Sequence, residues 1–531
     1  MTTYHHSFKK WVPRWLMIVA IFATMVPVGI GLGVYLAGTT SAMSYYNADA
    51  YDIRFSIVLY YLSIAAAFPF EKVISSKFRT KPYLTTSCIL FIFINLILYN
   101  TQSLGTLLVL RFLSGALSNA FIGTLFTLIF QQFHSQRSRV LSYGILYGTL
   151  LGSVPLSYLI DAYVFTTYNF NLVFLLMIFA CIPGFILLFV CLKDNIDLRR
   201  EKTAISARVD WPSYVLYAAA LTLSAYILCY GQYYNWFTSL HIILATIVFV
   251  IFLMLYFFRQ LKLKTPFVNL DIYKSRNFRI GMLMLLVFYF AKGDTSVSYG
   301  FFNTAINLDV YHRAYVMTIN GVGVFSGALL TARFLLTGTR IRLIWLTGFA
   351  SLLFFHIYML FIFGSQAETS DLLLPLFFQG FGNGTLMLSI VIFYATAVPT
   401  EIAFSASATG ISYRFFTFTA SMALVTFMGL RQQSIHYNDY GKELVNTNPE
   451  VAHHVATYQQ TLLDRGASTL QATAGASRQL GAAVRAQTNL LYARDYYIYM
   501  SAFIFLTMLA IALIPHFHYH LRKISDKLTP I

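Results

Sequence analysis

The residues most able to do chemistry are Lys292 and Asp294, which flank Gly293 directly after an apolar run from Ile280 to Ala291. Tyr299-Gly300-Phe301-Phe302 follows them. With Arg279 at a membrane edge, a helical rise of ~1.5 Å per residue places Lys292 about 18 Å and Asp294 about 21 Å deep. A bilayer core is ~30 Å thick, so both lie inside it, around or beyond the midplane. Ionisable groups at that depth are costly; they face a bundle interior or a water-filled cavity, and they mark ion or proton pathways. The plainer alternative is an internal ion pair that only holds helices together. Residues two apart on a helix point away from each other, so different partners are expected unless Gly293 breaks the helix. Deprotonation of a buried carboxyl is disfavoured by desolvation, which suits Asp294 to a proton carrier. Lys292, with Arg111 elsewhere in the chain, would set its charge balance.

Such a pair needs membrane helices to hold it, and composition supplies them. The chain has 531 residues, of which 58% are hydrophobic and 11% charged, with a mean hydropathy of +0.65. Soluble domains are about 25% charged and under half apolar, so an integral, all-α membrane protein is indicated and a water-soluble enzyme excluded. The net charge of +17 would suggest nucleic acid in a soluble protein. Here the bases sit in short loops, which points to membrane orientation and to no nucleic-acid partner.

Apolar runs of about 20 residues give fourteen spans. They lie at 15–37, 54–70, 83–100, 105–130, 140–160, 171–192, 212–230, 240–258, 279–303, 313–332, 342–364, 372–398, 404–429 and 496–516. Loops after even-numbered spans carry the bases, from Lys72, Lys77, Arg79 and Lys81 to Arg333, Arg340 and Arg342; loops after odd-numbered spans hold few, among them Arg54 and Arg313. This alternation predicts a multi-pass protein with both termini cytoplasmic. The expected divisions are an N-terminal six-helix bundle (1–192), a basic linker with two extra spans (193–270) and a C-terminal six-helix bundle (271–531). The polar stretch 431–495 would lie outside the cytoplasm, as a helical hairpin over the outer mouth or as a flexible loop. Its segments Val455 to Leu463 and Ala476 to Leu491 are rich in Ala, Gln and Leu and poor in proline.

Other residues stand out by position. Arg111 lies within span four, beside Ser114-Gly115-Ala116, whose small side chains admit a close neighbour. Span five carries Gly144, Gly148 and Gly152 followed by Pro155, a flat face for helix crossing with a permitted kink. Arg414 sits in span thirteen, either snorkelling to headgroups or gating. Tyr35, Tyr60, Tyr61, Tyr143, Tyr147, Tyr289, Phe290, Tyr299 and Phe301, with Gln379 and Arg414, are candidate cavity residues, since aromatic walls suit flat, apolar or cationic molecules. An interfacial and lipid-facing role is the alternative for any one ring. Cys88, Cys181, Cys191 and Cys229 read as small core residues. The alternating His516, His518 and His520 could bind a metal only if a helix or strand placed them correctly; for them and for His453-His454 interfacial, solvated side chains are the expectation, and no metal is expected. No P-loop, HExxH or dinucleotide fingerprint is present, so neither ATP drive nor an enzymatic cofactor is indicated.

The chain resembles the fourteen-span drug:proton antiporters of the major facilitator superfamily, the EmrB/QacA-type multidrug export proteins. The resemblance is carried by Gly231-Gln232-Tyr233-Tyr234-Asn235-Trp236-Phe237, by Pro266-Phe267-Val268-Asn269-Leu270-Asp271 through Lys274-Ser275-Arg276-Asn277-Phe278, by Val209-Asp210-Trp211-Pro212 and Phe378-Gln379-Gly380-Phe381-Gly382, and by Pro399-Thr400-Glu401 with Arg414. Arg111 with Gly115 is similar to the family's span-four motif, whose arginine is thought to assist proton transfer. The span-five glycine ladder resembles its antiporter motif, with the proline shifted by two positions. The loop Lys72 to Lys81 lacks the family's glycine and aspartate, and span one lacks its embedded aspartate, which leaves Asp294 as a relocated carrier. The resemblance implies proton-driven efflux of amphipathic small organic molecules across a bacterial inner membrane, with a periplasmic adaptor and an outer-membrane channel as possible partners. Open alternatives are a transporter of a specific anionic metabolite or chelate, and a non-transporting scaffold or receptor.

Overall fold

The computed structural model describes residues 7–36, 38–133, 140–194, 210–293, 295–304, 306, 308–362, 367–445 and 448–514. Asp294, the triad His516, His518 and His520, and most of the basic linker after span six lie outside the described residues. Among those described, the secondary structure is helical, apart from one isolated antiparallel bridge between Phe8 and Leu192 that ties the N-terminal segment to the end of span six.

Thirteen helices among the described residues are long and apolar enough to cross a membrane. In the first half, spans one to four are Arg14–Gly33, Ala50–Lys77, Thr80–Asn100 and Leu104–Gln131, and span six is Leu172–Cys191. Spans seven and eight are Trp211–Tyr230 and Leu240–Lys262. Spans ten to fourteen are Val310–Thr337, Ile341–Phe361, Thr369–Ala395, Ala403–Glu443 and Thr469–Leu513. Span five is Val140–Ser153, then a 3-10 turn Val154–Leu156 around Pro155, then Ser157–Thr167. The kink that Pro155 permits is therefore present, but the helix continues beyond residue 160. A short helix, Thr39–Tyr46, fills the loop after span one.

Span nine is the fourteenth, and it is broken. Its halves are Arg276–Ala291 and Thr295–Thr304. The first half closes with the Lys292 amide donating to Phe288 and the Gly293 amide donating to Phe290. A Cβ on Gly293 would lie 2.4 Å from Ser421 Oγ and 3.2 Å from Val425 Cγ2. The bend is therefore pressed against span thirteen, and glycine is what lets it approach.

Two six-helix groups pack face to face, spans one to six and spans nine to fourteen. Span five crosses span ten, and span two crosses span thirteen. Span seven leans on spans two and thirteen, while span eight rests mainly on span seven. The pair is clamped at one edge, where Arg259 donates to Asp210 at 2.7 Å and Gln260 to Ser213 at 2.8 Å. Burial raises the Asp210 pKa, but the hydrogen bonds from Arg259 and Ser213 overcome it and hold the carboxyl below its ordinary range.

The stretch 431–495 is helical and continues the spans. Helices of 41 and 45 residues reach ~62 and ~68 Å, twice a ~30 Å bilayer core. Their projecting parts pair through Gln433 and Asn489 at 2.8 Å and through His436 and Asp495 at 2.7 Å. A third helix, Pro449–Asp464, packs back on the returning one. Ser468 and Gln471 form the capping box that starts that return. The end of the bundle bearing this extension is called the hairpin face below, and the opposite end the basic face.

Candidate functional site

Glycines set the distances in the interior. A Cβ on Gly115 would lie 2.2 Å from the Tyr60 carbonyl, so only glycine lets span four approach span two so closely. One turn earlier, that contact places the Arg111 guanidinium 4.2 Å from the Tyr60 ring centre and 5.1 Å from that of Tyr35. Arg111 is 4% exposed. Tyr60 and Ser118 share a 2.7 Å hydrogen bond, and Tyr35 and Ser56 one of 2.9 Å. Both rings are thus fixed around the cation. Tyr35 holds a left-handed backbone at φ 53°, an uncommon cost for a bulky residue.

Arg414 is the counterpart from the other half. Its guanidinium lies 4.6 Å from the Phe415 ring centre and 5.8 Å from that of Tyr147 on span five. Tyr289 and Tyr394 also stand within its electrostatic reach. The snorkelling alternative does not describe this geometry, because those neighbours come from the interior faces of spans five, nine and twelve. Between the two arginines, Tyr61 stacks on Phe415 at 5.2 Å and 6° and meets Phe418 edge-on at 5.3 Å. Tyr289 meets Phe418 at 6.3 Å. An aromatic sleeve built from spans two, nine and thirteen therefore runs between Arg111 and Arg414.

The ladder of span five forms the seam between the halves. A Cβ at Gly144 would be 2.9 Å from Ala332 Cβ, and at Gly148 3.2 Å from Ala328 Cβ. At Gly152 it would be 3.0 Å from the Gly321 carbonyl oxygen; Pro155 flanks the same contact. Span one covers the other side of span five through Gly29 and Gly33. Phe68 stacks on Phe404 toward the basic face, while Arg54 donates to Thr426 at 3.0 Å toward the hairpin face. Contacts between the halves thus extend to both ends.

The remaining sequence-predicted residues fall elsewhere. Tyr143 is buried against Phe126, with ring centres 4.8 Å apart. Gln379 is buried between spans ten and twelve, where Asn320 donates to it at 2.7 Å. Tyr299 lies toward the hairpin face, 5.3 Å from the Arg313 guanidinium and 5.4 Å from Tyr158. Lys292 is half-buried at the bend of span nine, its ammonium 5.8 Å from Tyr289 and 5.9 Å from Phe288.

Sequence reasoning also missed one acid. Asp161 is fully buried on span five, within electrostatic reach of Tyr299. Ending the span at 160 made it a loop residue; the apolar Ala162, Val164 and Phe165 beyond it were the available signal. Tyr60 and Tyr61, already candidate cavity aromatics by sequence, belong to the site, and so do Tyr394, Phe415 and Phe418. In the sequence those three are indistinguishable from the chain's many other aromatics.

A kinked-helix bundle in two facing halves, with a cationic and aromatic interior drawn from both, defines a membrane carrier by architecture. The Major Facilitator Superfamily model matches residues 17–426, and the chain belongs to that family of transporters, which is not a class of enzymes. Curated relatives include the "Colistin resistance protein EmrB" of Acinetobacter baumannii, 24% identical over 50% of this chain and 52% of that protein. Another is "Multidrug resistance protein 3" of Bacillus subtilis, 22% identical over 61% of this chain and 62% of that protein. The matched regions thus span about half to three-fifths of these relatives' length. A crystal structure of a peptide transporter superposes with a TM-score of 0.55 at 13% identity, over 94% of both chains, a likeness of fold alone.

Proposed function

We propose that the protein is a secondary active transporter that exports amphipathic organic molecules in exchange for protons. The observation that carries this reading is the interior site shared by both halves, with Arg111 on span four and Arg414 on span thirteen linked by the Tyr61–Phe415 stack. A site whose walls belong to two bodies is remade whenever those bodies rock against each other, which is how repeat-built transporters expose a midplane site to each side in turn. The glycine seam between spans five and ten supplies a smooth surface for that motion. The names of the two bacterial relatives agree with drug export.

In this mechanism Asp294 takes a proton from outside and releases it inside. Protonation removes a charge from the bend of span nine, where Lys292 already places a cation next to Tyr289. Return of the charge favours the conformation that binds substrate. Arg111 and Lys292 set the electrostatic balance, and no cofactor is required, the proton gradient being the energy source. The membrane is a bacterial inner membrane, with the basic face and both termini cytoplasmic and the hairpin face outside, as the loop charges favour. Placed there, the projecting helices are where a periplasmic adaptor leading to an outer-membrane channel would engage.

The test is proton movement driven by substrate. With ethidium and 1-naphthoate each added outside proteoliposomes that contain a luminal pH dye, at least one should shift luminal pH, relative to protein-free liposomes, with the wild-type protein and not with Asp294→Asn. A wild-type-sized pH response in Asp294→Asn would remove the carrier role.

A further inference from the structure

We propose that the interior site takes an aromatic anion, with the acidic group held by Arg414 and the ring received by the aromatic sleeve that runs from there toward Arg111. This rests on the reading of that interior as the substrate site. It adds the sign of the substrate's charge, for which the residues give a specific argument.

A guanidinium stays charged at every physiological pH, so burying it calls for a compensating partner. Arg111 is compensated by rings, and Arg414 by rings and one hydrogen bond to the Tyr147 hydroxyl. Tyr60 and Tyr35 lie against Arg111, Phe415 and Tyr147 against Arg414. Ring faces engage a cation but accept no hydrogen bond in the guanidinium plane. Both Arg111 Nε and Arg414 Nε are buried without a hydrogen-bond partner. Neither arginine is in a salt bridge with a described acid. The buried described acids occupy other places, Glu71 beyond the Pro69 of span two and Asp161 beside Tyr299.

The two arginines thus set a positive charge at either end of the sleeve. A lipophilic cation would enter against that field, whereas an anion would complete it. Guanidinium edges present paired N–H donors that match a planar carboxylate or a sulfonate. Tyr61 and Phe415 stack within 6° of parallel, with Phe418 perpendicular to Tyr61. These rings suit a flat hydrocarbon body by offset and edge-to-face contact.

Three probes of one shape isolate charge: 1-naphthoate, 1-naphthamide and 1-naphthylmethylammonium, titrated near neutral pH onto the purified full-length protein. Charge-assisted hydrogen bonds to one arginine correspond to a difference of ~10-fold or more in affinity. Naphthoate should bind at least ~10-fold tighter than the amide, and the ammonium weakest. Arg414→Gln should cut naphthoate affinity ~10-fold and leave the amide unchanged, with Arg414→Lys between them. Equal binding of the three probes, or tightest binding of the ammonium, overturns the proposal on the wild-type protein alone, whatever the variants do. Unchanged naphthoate affinity in Arg414→Gln overturns the assignment of Arg414. Naphthoate that binds but is never moved across proteoliposomes would refute the transport reading and leave the anion site standing. Proton-driven transport of ethidium without naphthoate binding would do the reverse.

Discussion

Replacing Gly321 with alanine should pry spans five and ten apart near their middle. Its Cβ would sit 2.4 Å from the Gly152 carbonyl oxygen, where ordinary contact begins at 3.4 Å. The obstructing atom is backbone, so no side-chain rotation relieves it, and spans five and ten must separate by about 1 Å. Overpacking of this kind costs ~1–3 kcal/mol. Alanine also favours helix over glycine by up to ~1 kcal/mol. That gain is present whether the seam is closed or open, so it cancels in the equilibrium between the two. The clash does not cancel, and ~1–3 kcal/mol shifts the equilibrium toward the separated form by ~5- to 150-fold. Spin labels at the exposed positions Tyr163 and Tyr315, in a background lacking the half-buried Cys229, report the separation by pulsed dipolar spectroscopy. Gly300→Ala is the control, because a Cβ there meets nothing within 4 Å. A folded Gly321→Ala protein with the wild-type distance distribution would refute the idea that this seam is the separating surface.

Three further outcomes are expected. Tyr60→Phe should lower thermal stability by ~0.5–1.5 kcal/mol through loss of the Ser118 hydrogen bond, while Tyr60→Leu also removes the ring against Arg111 and should cost ~2 kcal/mol more; equal losses would discount the cation–π contact. Asp210 has a depressed pKa, so its stabilising bond to Arg259 is complete above the ordinary carboxylate range and is lost as pH falls through the lower folded value. Melting temperature should therefore decline at acid pH, and Asp210→Asn should flatten that decline; parallel curves would count against it. In the projecting helices, Asp495→Asn should weaken the pairing with His436 by ~0.5–1.5 kcal/mol, seen as faster amide exchange near residues 433–440 with the membrane core unchanged.

Much of this architecture is legible in the chain because membrane helices announce themselves by length and apolarity. What escaped was set by tertiary contact. A break of span nine at Gly293 is readable as a possibility, but the close approach of that bend to Ser421 and Val425 is not. Asp161 escaped because a span ended by hydropathy stops where the first charge appears, whereas the helix runs on to Thr167. The glycine ladder of span five was readable as a packing face, but its partner on span ten was not. Gln379 matched a cavity residue by type, yet Asn320 engages it between two packed helices. Arg414 could have been placed at the headgroups; the neighbours that turn it inward, Tyr147, Tyr289 and Tyr394, lie far away in sequence. For 431–495 the composition allows a helical hairpin or a flexible loop, and the helices found there, which cap themselves and pair with each other, agree with the hairpin.

The central claim, that the interior shared by the two halves carries a substrate at the expense of a proton gradient, is tested most directly by flux in proteoliposomes under imposed pH gradients. With ethidium and 1-naphthoate each supplied on one side, at least one should move against its own gradient when protons flow the opposite way. Reversing the pH gradient should reverse that flux, and collapsing it should leave only equilibration. Flux that ignores the size and direction of the pH gradient would contradict the account.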